Sequence, residues 1–211
     1  NKKNINTIKF SSLKDTKFLV NGKSRLINTN NSNLLGTHNL ENILVSILVS
    51  ELCGVSDDVC LNTINKFNPP NHRLEKLNFN SNVTFYNDSK ATNLPATIAA
   101  INTLDKNIIL ILGGIDKNKS NFCVLEKYKN KIKNIILYGD SRKFIEKQIS
   151  SYFNIFSFSN FDQAIKKSIS LSDSGDNILC SPACASFDQF NNYKDRGNCF
   201  KKIISDHYAK N

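Results

Sequence analysis

The alternation of apolar and polar residues divides the chain into two parts of different architecture. In the first part, three short alternating runs predict a small antiparallel sheet: Thr7–Phe10, Lys17–Val20 and Arg25–Ile27. Asn21 and Gly22 supply the turn between the last two runs. An apolar helix is then predicted from a cap at Asn39 to Leu52, and Ser56 is placed to cap a second helix.

The second part alternates strand-like and helical segments. Strands are predicted at 83–88, 107–114, 133–140, 151–156 and 177–183, and helices near 93–104, 121–131, 141–149, 160–172 and 187–208. This order predicts an α/β fold, a Rossmann-like and mostly parallel sheet with helices on both faces. Pro69 and Pro70 stiffen the chain and exclude a helix, so we place a domain boundary there, with domains 1–70 and 71–211.

Composition supports a folded protein without a membrane span. Hydrophobic residues make up 40% of the chain, which is enough for a packed core. No apolar run approaches the roughly 18 residues that cross a bilayer. The six cysteines form no CxxC pair and lie apart from the three histidines, which argues against a zinc site. No secretory signal is visible, so we expect reduced thiols and a cytoplasmic location.

The net charge of +10 raises the question of nucleic-acid binding. Lysines outnumber arginines by 24 to 4, and they are scattered without a block of five like charges or interleaved aromatic residues. Asparagine reaches 32 residues, and lysine and asparagine codons are both rich in A and T. Compositional drift therefore accounts for most of the charge. We expect no nucleic-acid partner; steeply salt-dependent DNA binding would contradict this.

Small residues, hydroxyl groups and charges follow four of the predicted strands. The segments are 88–93, 113–117, 139–141 and 181–186. Because the carboxyl ends of parallel strands meet at one edge of a sheet, these loops predict a ligand-binding rim. Lys90 and Lys117 bring positive charge, while Thr92, Ser141 and Ser186 bring hydroxyl donors, so the predicted ligand is anionic. The segment GGIDKNKS is not a Walker loop, since it lacks GxxxxGKS or GxxxxGKT.

Five motifs carry a resemblance to a known family. They are LLGTHNLEN, NHRLE, FYNDSKATN, LILGGIDK and LCSPACASFDQFNNYKDRGNCFK, spread over about residues 34–211. In this order and spacing they resemble the ATP-dependent Mur ligases of peptidoglycan synthesis, and NDSKATN and SPACASFDQF are typical of the branch that adds D-glutamate. The resemblance implies that ATP phosphorylates the carboxylate of UDP-N-acetylmuramoyl-L-alanine, and that the amine of D-glutamate then displaces phosphate.

The family has three domains, and the resemblance implies that the chain holds the last part of them. Residues 1–70 correspond to the end of the central ATPase domain, and 71–211 to the C-terminal Rossmann-like domain. The P-loop, a carbamylated lysine and the Mg²⁺ ligands are expected upstream of Asn1. The chain begins at Asn1 and contains no methionine. We therefore expect the C-terminal part of a longer, monomeric ligase, inactive by itself.

Residue by residue, the resemblance implies a nucleotide side and a D-glutamate side of the site. On the nucleotide side, Asn39 and Asn42 match positions near adenine, Arg73 matches the arginine that reaches the nucleotide across the domain hinge, and Asp88 matches the carboxylate that holds the ribose hydroxyls. Lys90 and Lys117 are the expected catalytic residues. The expected D-glutamate pocket consists of Thr92, Lys117, Ser186, Phe187 and Tyr193.

For three residues, a structural role is an alternative to a role in ligand binding. Asn39 is also suited to cap a helix, and Tyr193 is suited to fill a core. His72, beside Arg73, is suited to a turn. Another Mur or folylpolyglutamate-type ligase would share the HNxxN motif but not SPACASFDQF. A non-catalytic Rossmann-like module that binds an anionic metabolite would also fit a chain without an ATPase loop. Titration with D-glutamate and with ADP separates these functions.

Overall fold

A computed structural model describes residues 16–20, 23–27, 34 and 37–209 of the chain. The chain forms two compact units, Asn1–Pro69 and Pro70–Asn211. The predicted strand Thr7–Phe10 and the predicted turn at Asn21 and Gly22 lie outside the described residues. The correspondence of the two units to an ATPase domain and a Rossmann-like domain stays a prediction.

The first unit contains a two-stranded sheet and two helices. Its elements are β1 (Thr16–Val20), β2 (Lys23–Ile27), α1 (Thr37–Leu52) and α2 (Asp57–Lys66). β1 and β2 pair antiparallel, and a small apolar cluster joins α1 to α2 through Ile43, Leu44, Ile47 and Cys60. Ser56 occupies the N-cap position of α2, as predicted, but its side chain forms no capping hydrogen bond. The predicted cap at Asn39 was wrong, because α1 already begins at Thr37 and Asn39 lies inside its first turn.

The second unit is built on one six-stranded sheet in the order β3-β4-β8-β5-β6-β7. Its strands are β3 (Glu75–Leu77), β4 (Thr84–Asn87), β5 (Ile108–Gly113), β6 (Ile132–Tyr138), β7 (Ile155–Phe158) and β8 (Asn177–Ala183). Every neighbouring pair is parallel except β3 with β4. The predicted mostly parallel α/β fold is therefore confirmed.

Helices cover both faces of this sheet. They are α3 (Leu94–Thr103), a 3₁₀ helix (Phe122–Tyr128), α4 (Arg142–Ile149), α5 (Phe161–Ser170) and α6 (Tyr193–Tyr208). Successive side chains of β5 enter opposite cores: Leu110 packs with α3, the 3₁₀ helix and α4, whereas Ile111 packs with α5 and α6. Both side chains are fully buried, which explains why this strand reads as a continuous apolar run.

Several boundaries differ from the predictions for local reasons. The helix expected from residue 187 begins only at Tyr193, because the carbonyl of Ser186 accepts from the N–H groups of Gln189 and Phe190 in a tight turn. Asn192 then caps α6 by accepting from two backbone N–H groups. The segment expected as a helix at 121–131 contains a 3₁₀ helix. The strand expected at 151–156 is β7, which lies at Ile155–Phe158. Within the described residues, no helix has the length and apolarity to cross a membrane.

Candidate functional site

The four loops that the sequence places at one rim do come together in the second unit. Strands β4, β8, β5 and β6 are parallel neighbours, so their carboxyl ends share one edge. Backbone bonds tie the loops to each other: Ile115 N–H donates to Ala185 O at 2.8 Å, and Ser141 N–H donates to Gly114 O at 2.9 Å. The loops after β5, β6 and β8 therefore form one continuous surface.

Gly114 is the residue that lets these loops approach so closely. Its φ of +118° lies in a region of backbone conformation that residues with a side chain rarely adopt, and a Cβ at this position would overlap the carbonyl oxygen of Ala185. The glycine pair of the GGIDK segment thus serves close backbone packing at the rim. Any larger residue at Gly114 would separate the loop after β5 from the loop after β8.

Two lysines at this rim each lie over an aromatic ring. Lys117 Nζ is 4.8 Å from the centroid of the Phe187 ring, and Lys90 Nζ is 5.9 Å from the centroid of the Tyr193 ring. Both rings belong to the segment after β8, which also carries the buried Ser186. A cation over the face of a ring is attracted by the ring quadrupole. The structure thus pairs Lys117 with Phe187 and Lys90 with Tyr193, four of the residues that the sequence assigned to the reaction centre and the D-glutamate pocket.

Neither lysine forms an ion pair in the part of the chain that the structure describes. Lys117 is exposed and Lys90 is half-buried. Thr92 is exposed on the loop after β4, the same loop that carries Lys90. The rim therefore offers positive charge that no carboxylate of the described chain neutralises, together with hydroxyl donors, as an anionic ligand requires.

Asp88 is buried at the end of β4, with both carboxylate oxygens engaged. Oδ1 accepts from the N–H of Leu74 at 3.0 Å, and Oδ2 accepts from Ser181 Oγ at 2.7 Å. Burial raises the pKa of Asp88 to about 6 from an ordinary value of 3.8, although the hydrogen bonds and the charges of Arg73 and Arg196 oppose the shift. Asp88 therefore joins the segment before β3 to β8, and its predicted contact with ribose hydroxyls stays a prediction.

Arg196 is the main residue of this region that sequence reasoning missed. Its side chain is fully buried, and the guanidinium donates to Ser89 Oγ at 2.9 Å, Ser89 O at 2.8 Å, Tyr138 Oη at 3.0 Å and Cys184 O at 3.0 Å. These acceptors belong to β6 and to the ends of β4 and β8, so one side chain joins three strands of the sheet, with β5 lying between β8 and β6. The available signal was helical spacing, since Arg196 lies four and eight residues before Phe200 and Ile204 on the buried face of α6.

His72 is a packed residue of the second unit. Its side chain is buried, Asn87 Nδ2 lies 2.9 Å from its Nδ1, and its carbonyl accepts from the N–H of Lys90 at 2.9 Å. A Cβ on Gly197 would overlap the imidazole, so glycine is required on that turn of α6. Burial lowers the pKa of His72, and the nearby Lys201 lowers it further. His72 is therefore placed to hold the backbone at Lys90 rather than to meet a ligand as a cation.

The remaining predicted nucleotide residues lie on different units. Asn39 is buried and Asn42 is exposed on α1 of the first unit, whereas Arg73 is exposed in the second unit just before β3. Their contacts with a nucleotide stay predictions. Among the described residues, no group of three or more His, Cys, Asp or Glu side chains is arranged to hold a metal ion.

Comparison with known proteins identifies the fold and the sequence family together. Residues 72–184, more than half of the chain, match the family model "Mur ligase, glutamate ligase domain". The chain is 38% identical over 192 residues to the UDP-N-acetylmuramoylalanine–D-glutamate ligase of Thermoanaerobacter sp. (strain X514). That alignment covers 89% of this chain and 42% of the relative. The corresponding protein of Bdellovibrio bacteriovorus is 37% identical, with 80% of this chain and 37% of the relative covered.

Solved structures agree on the fold at much lower identity. The UDP-N-acetylmuramate-alanine ligase of Thermotoga maritima matches with a TM-score of 0.68 at 15% identity, covering 92% of this chain and 44% of that one. The MurF protein of Acinetobacter baumannii matches with a TM-score of 0.66 at 12% identity, covering 91% and 42%. The chain thus spans less than half of each of these proteins. From the family model and the sequence relatives together, we conclude that the chain belongs to the Mur ligase family.

Proposed function

We propose that the chain is the C-terminal part of a ligase that adds D-glutamate to UDP-N-acetylmuramoyl-L-alanine at the expense of ATP. The observation that carries the proposal is the pair of lysines Lys90 and Lys117, which follow the ends of β4 and β5 at one rim, lie over the rings of Tyr193 and Phe187, and form no ion pair with the described residues. Support also comes from the relatives at 37–38% identity that bear the name of this activity. Another Mur or folylpolyglutamate-type ligase is a weaker proposal, because the named relatives share one amino-acid substrate.

The proposed reaction has two steps. The free carboxylate of UDP-N-acetylmuramoyl-L-alanine attacks the γ-phosphorus of ATP, giving an acyl phosphate and releasing ADP. The amine of D-glutamate then attacks the carbonyl carbon, and the tetrahedral intermediate expels inorganic phosphate to leave the amide. Such steps are accelerated mainly by positioning the reactants and by stabilising the charge that develops on oxygen atoms.

D-glutamate presents two carboxylates, and the rim supplies donors for both. Lys117 provides an exposed cation, and the hydroxyls of Thr92 and Ser186 lie on the neighbouring loops. Charge-assisted hydrogen bonds to a carboxylate are stronger than neutral ones, so a lysine is the expected main contact. The rings of Phe187 and Tyr193 lie next to Lys117 and Lys90, and in this proposal they form the wall of the pocket. Lys90 faces the reacting carbonyl and phosphoryl oxygens in this proposal.

In the same proposal, four residues have a role in binding the nucleotide. Asn39 and Asn42 contact adenine, Arg73 reaches the nucleotide, and Asp88 accepts from the ribose hydroxyls through the lone pairs that Leu74 and Ser181 leave free. We propose that the Mg²⁺ ligands of the ligase lie upstream of Asn1; the described residues contain no group of three or more His, Cys, Asp or Glu side chains arranged to hold a metal ion. ATP and a nucleotide sugar as substrates place the protein in the cytoplasm, where its six free cysteines stay reduced.

The proposal is tested with the full-length gene product. We expect it to form UDP-N-acetylmuramoyl-L-alanyl-D-glutamate, ADP and phosphate from the three substrates, with no amide formed when L-alanine or diaminopimelate replaces D-glutamate. Incorporation of another amino acid in preference to D-glutamate would instead support another Mur ligase. The 211-residue chain alone is expected to form no product. If it binds D-glutamate in calorimetric titration while the full-length protein makes no amide, the binding-module alternative gains support.

A further inference from the structure

The loop that presents Lys117 is closed by the side chain of the preceding residue, Asp116. Its Oδ2 accepts from the N–H of Ser120 at 2.6 Å, and its Oδ1 accepts from Ser120 Oγ at 3.0 Å and from the N–H of Asn118 at 3.2 Å. All three donors follow Lys117 in the chain, so these hydrogen bonds span it. The carboxylate thus closes residues 116–120 into a compact turn that contains Lys117.

The start of this turn is fixed to the rim from two directions. The N–H of Asp116 donates to Ser141 Oγ at 2.8 Å, which ties it to the loop after β6. Ile115 exchanges two backbone hydrogen bonds with Ala185, which ties it to the loop after β8. Within the turn, Lys119 has a φ of +48°, a left-handed conformation that is strained for a non-glycine residue. The bonds to Asp116 on both sides of Lys119 hold the turn in this conformation.

We propose that Asp116 is a positioning residue for Lys117: its carboxylate orders the loop so that the lysine ammonium lies over Phe187 and faces the substrate. The proposal rests on the proposed function of the rim. Both carboxylate oxygens of Asp116 are occupied by donors of its own loop, and the described residues hold no ion pair between Asp116 and Lys117. Asp116 therefore organises the cation without neutralising it.

Electrostatics alone predicts the opposite effect of Asp116. A carboxylate one residue from the proposed binding lysine repels a substrate that carries two carboxylates, because like charges at short range disfavour each other. Removing that negative charge without changing the side-chain shape would then tighten D-glutamate binding. A positioning role predicts weaker binding, because the amide of asparagine has one accepting oxygen where the carboxylate has two, so the N–H of Ser120 or the N–H of Asn118 loses its acceptor. The sign of the effect therefore decides between the two.

The experiment measures steady-state kinetics of the full-length ligase carrying Asp116→Asn. We expect the KM for D-glutamate to rise about tenfold, in line with the loss of one charge-assisted hydrogen bond, while kcat changes by less than about twofold and the KM for ATP stays as in wild type. The matched control is Asp105→Asn. Asp105 is exposed just before β5, at the opposite edge of the sheet. Its substitution therefore removes the same charge without changing the loop, and the kinetics of the variant should equal those of the wild type.

The outcomes separate this role from the proposed function. A wild-type protein without D-glutamate ligase activity overturns the proposed function and this role with it. An active wild type whose Asp116→Asn variant keeps or lowers the KM for D-glutamate overturns the positioning role alone. If Asp116→Asn fails to fold, Ser120→Ala removes one of the three donors and is expected to raise the KM for D-glutamate about two- to threefold. An unchanged KM in that variant also overturns the role.

Discussion

Arg196 and Lys117 are two cations near the carboxyl edge of the same sheet, and the protein holds them in opposite ways. Arg196 is fully buried and donates four hydrogen bonds to uncharged acceptors. Lys117 is exposed, lies over an aromatic ring and has no ion-pair partner among the described residues. A buried charge is tolerated only when its donors are satisfied, so Arg196 belongs to the buried framework that joins β4, β6 and β8. The charge of Lys117, in contrast, is open to contact with a ligand.

The choice of residue type follows the same division. The planar guanidinium of arginine carries five donors in a fixed fork, which suits Arg196 where it meets Ser89, Tyr138 and Cys184 at once. The lysine ammonium is a flexible point charge, which suits contact with an anion that arrives and leaves. Charge at this rim therefore does not by itself mark a functional residue; burial and partners decide. Three substitutions test this contrast between buried groups that stabilise the fold and exposed groups that bind a ligand.

Arg196→Met should have the largest effect on folding. It leaves the carbonyls of Ser89 and Cys184 and the hydroxyl of Tyr138 without their buried donor, so we expect the free energy of unfolding to fall by about 3–5 kcal/mol. Urea denaturation followed by circular dichroism measures this loss. The control is Lys202→Met, an exposed cation on the same helix, with an expected change below about 0.5 kcal/mol. Equal stability of the two variants would show that the hydrogen bonds of Arg196 do not stabilise the fold.

Asp88→Asn should have an intermediate effect that depends on pH. The unfolded chain releases the Asp88 proton near the ordinary pKa of 3.8, whereas the folded chain holds it up to a pKa of about 6. Because the folded state binds more protons across this interval, stability falls as pH rises through it, by roughly 3 kcal/mol. In Asp88→Asn this fall should disappear, since asparagine does not titrate.

The measurement for Asp88 is the unfolding midpoint at several pH values from 3.5 to 7. The asparagine can still accept from the N–H of Leu74 and donate to Ser181 Oγ, so the variant is expected to fold. Other groups titrate in this interval in both proteins, so the contribution of Asp88 is the difference between them: with rising pH, the midpoint should fall less, or rise more, in the variant than in the wild type. Identical slopes in the two proteins would show that burial of Asp88 does not shift its ionisation in this way.

Lys117→Ala should have the smallest effect on folding and a large effect on function. Its side chain is exposed and lies over the exposed ring of Phe187, so the free energy of unfolding should change by less than about 0.5 kcal/mol. Incorporation of D-glutamate by the full-length ligase should fall by roughly 100-fold or more, because a charge-assisted contact to carboxylate is lost. The readout is amide product formed per unit of ATP consumed. Wild-type incorporation in this variant would refute the role of Lys117.

Much of the sheet could be predicted from the sequence because its signal is local. The uniformly apolar runs at β5 and β6 and the Gly, Ser and Asp residues that follow them indicate buried parallel strands with loops at one edge. β3 escaped prediction because it has three half-buried or exposed residues and no pattern of its own. The start of α6 was placed too early because the turn at Ser186 consists of residues that a helix also accepts.

The site was predicted only in part for a related reason. Lys90, Lys117 and Ser186 follow strands, and that position can be read along the chain. The role of Arg196 could not be read there, because its acceptor Ser89 lies 107 positions away in the sequence. The partners of Asp88 were hidden in the same way, since Ser181 lies 93 positions from it.

The sequence by itself determined the α/β class, the carboxyl rim and, through its motifs, the family. These follow from side-chain spacing over a few residues, which sets whether a segment is a strand or a helix and which face is apolar. The tertiary structure alone decided which charges are buried and which remain open to a ligand. Burial and hydrogen-bond partners are set by strands and helices that are distant in sequence. For this reason Arg196 is buried among its acceptors, whereas Lys117, at the same edge of the sheet, is exposed.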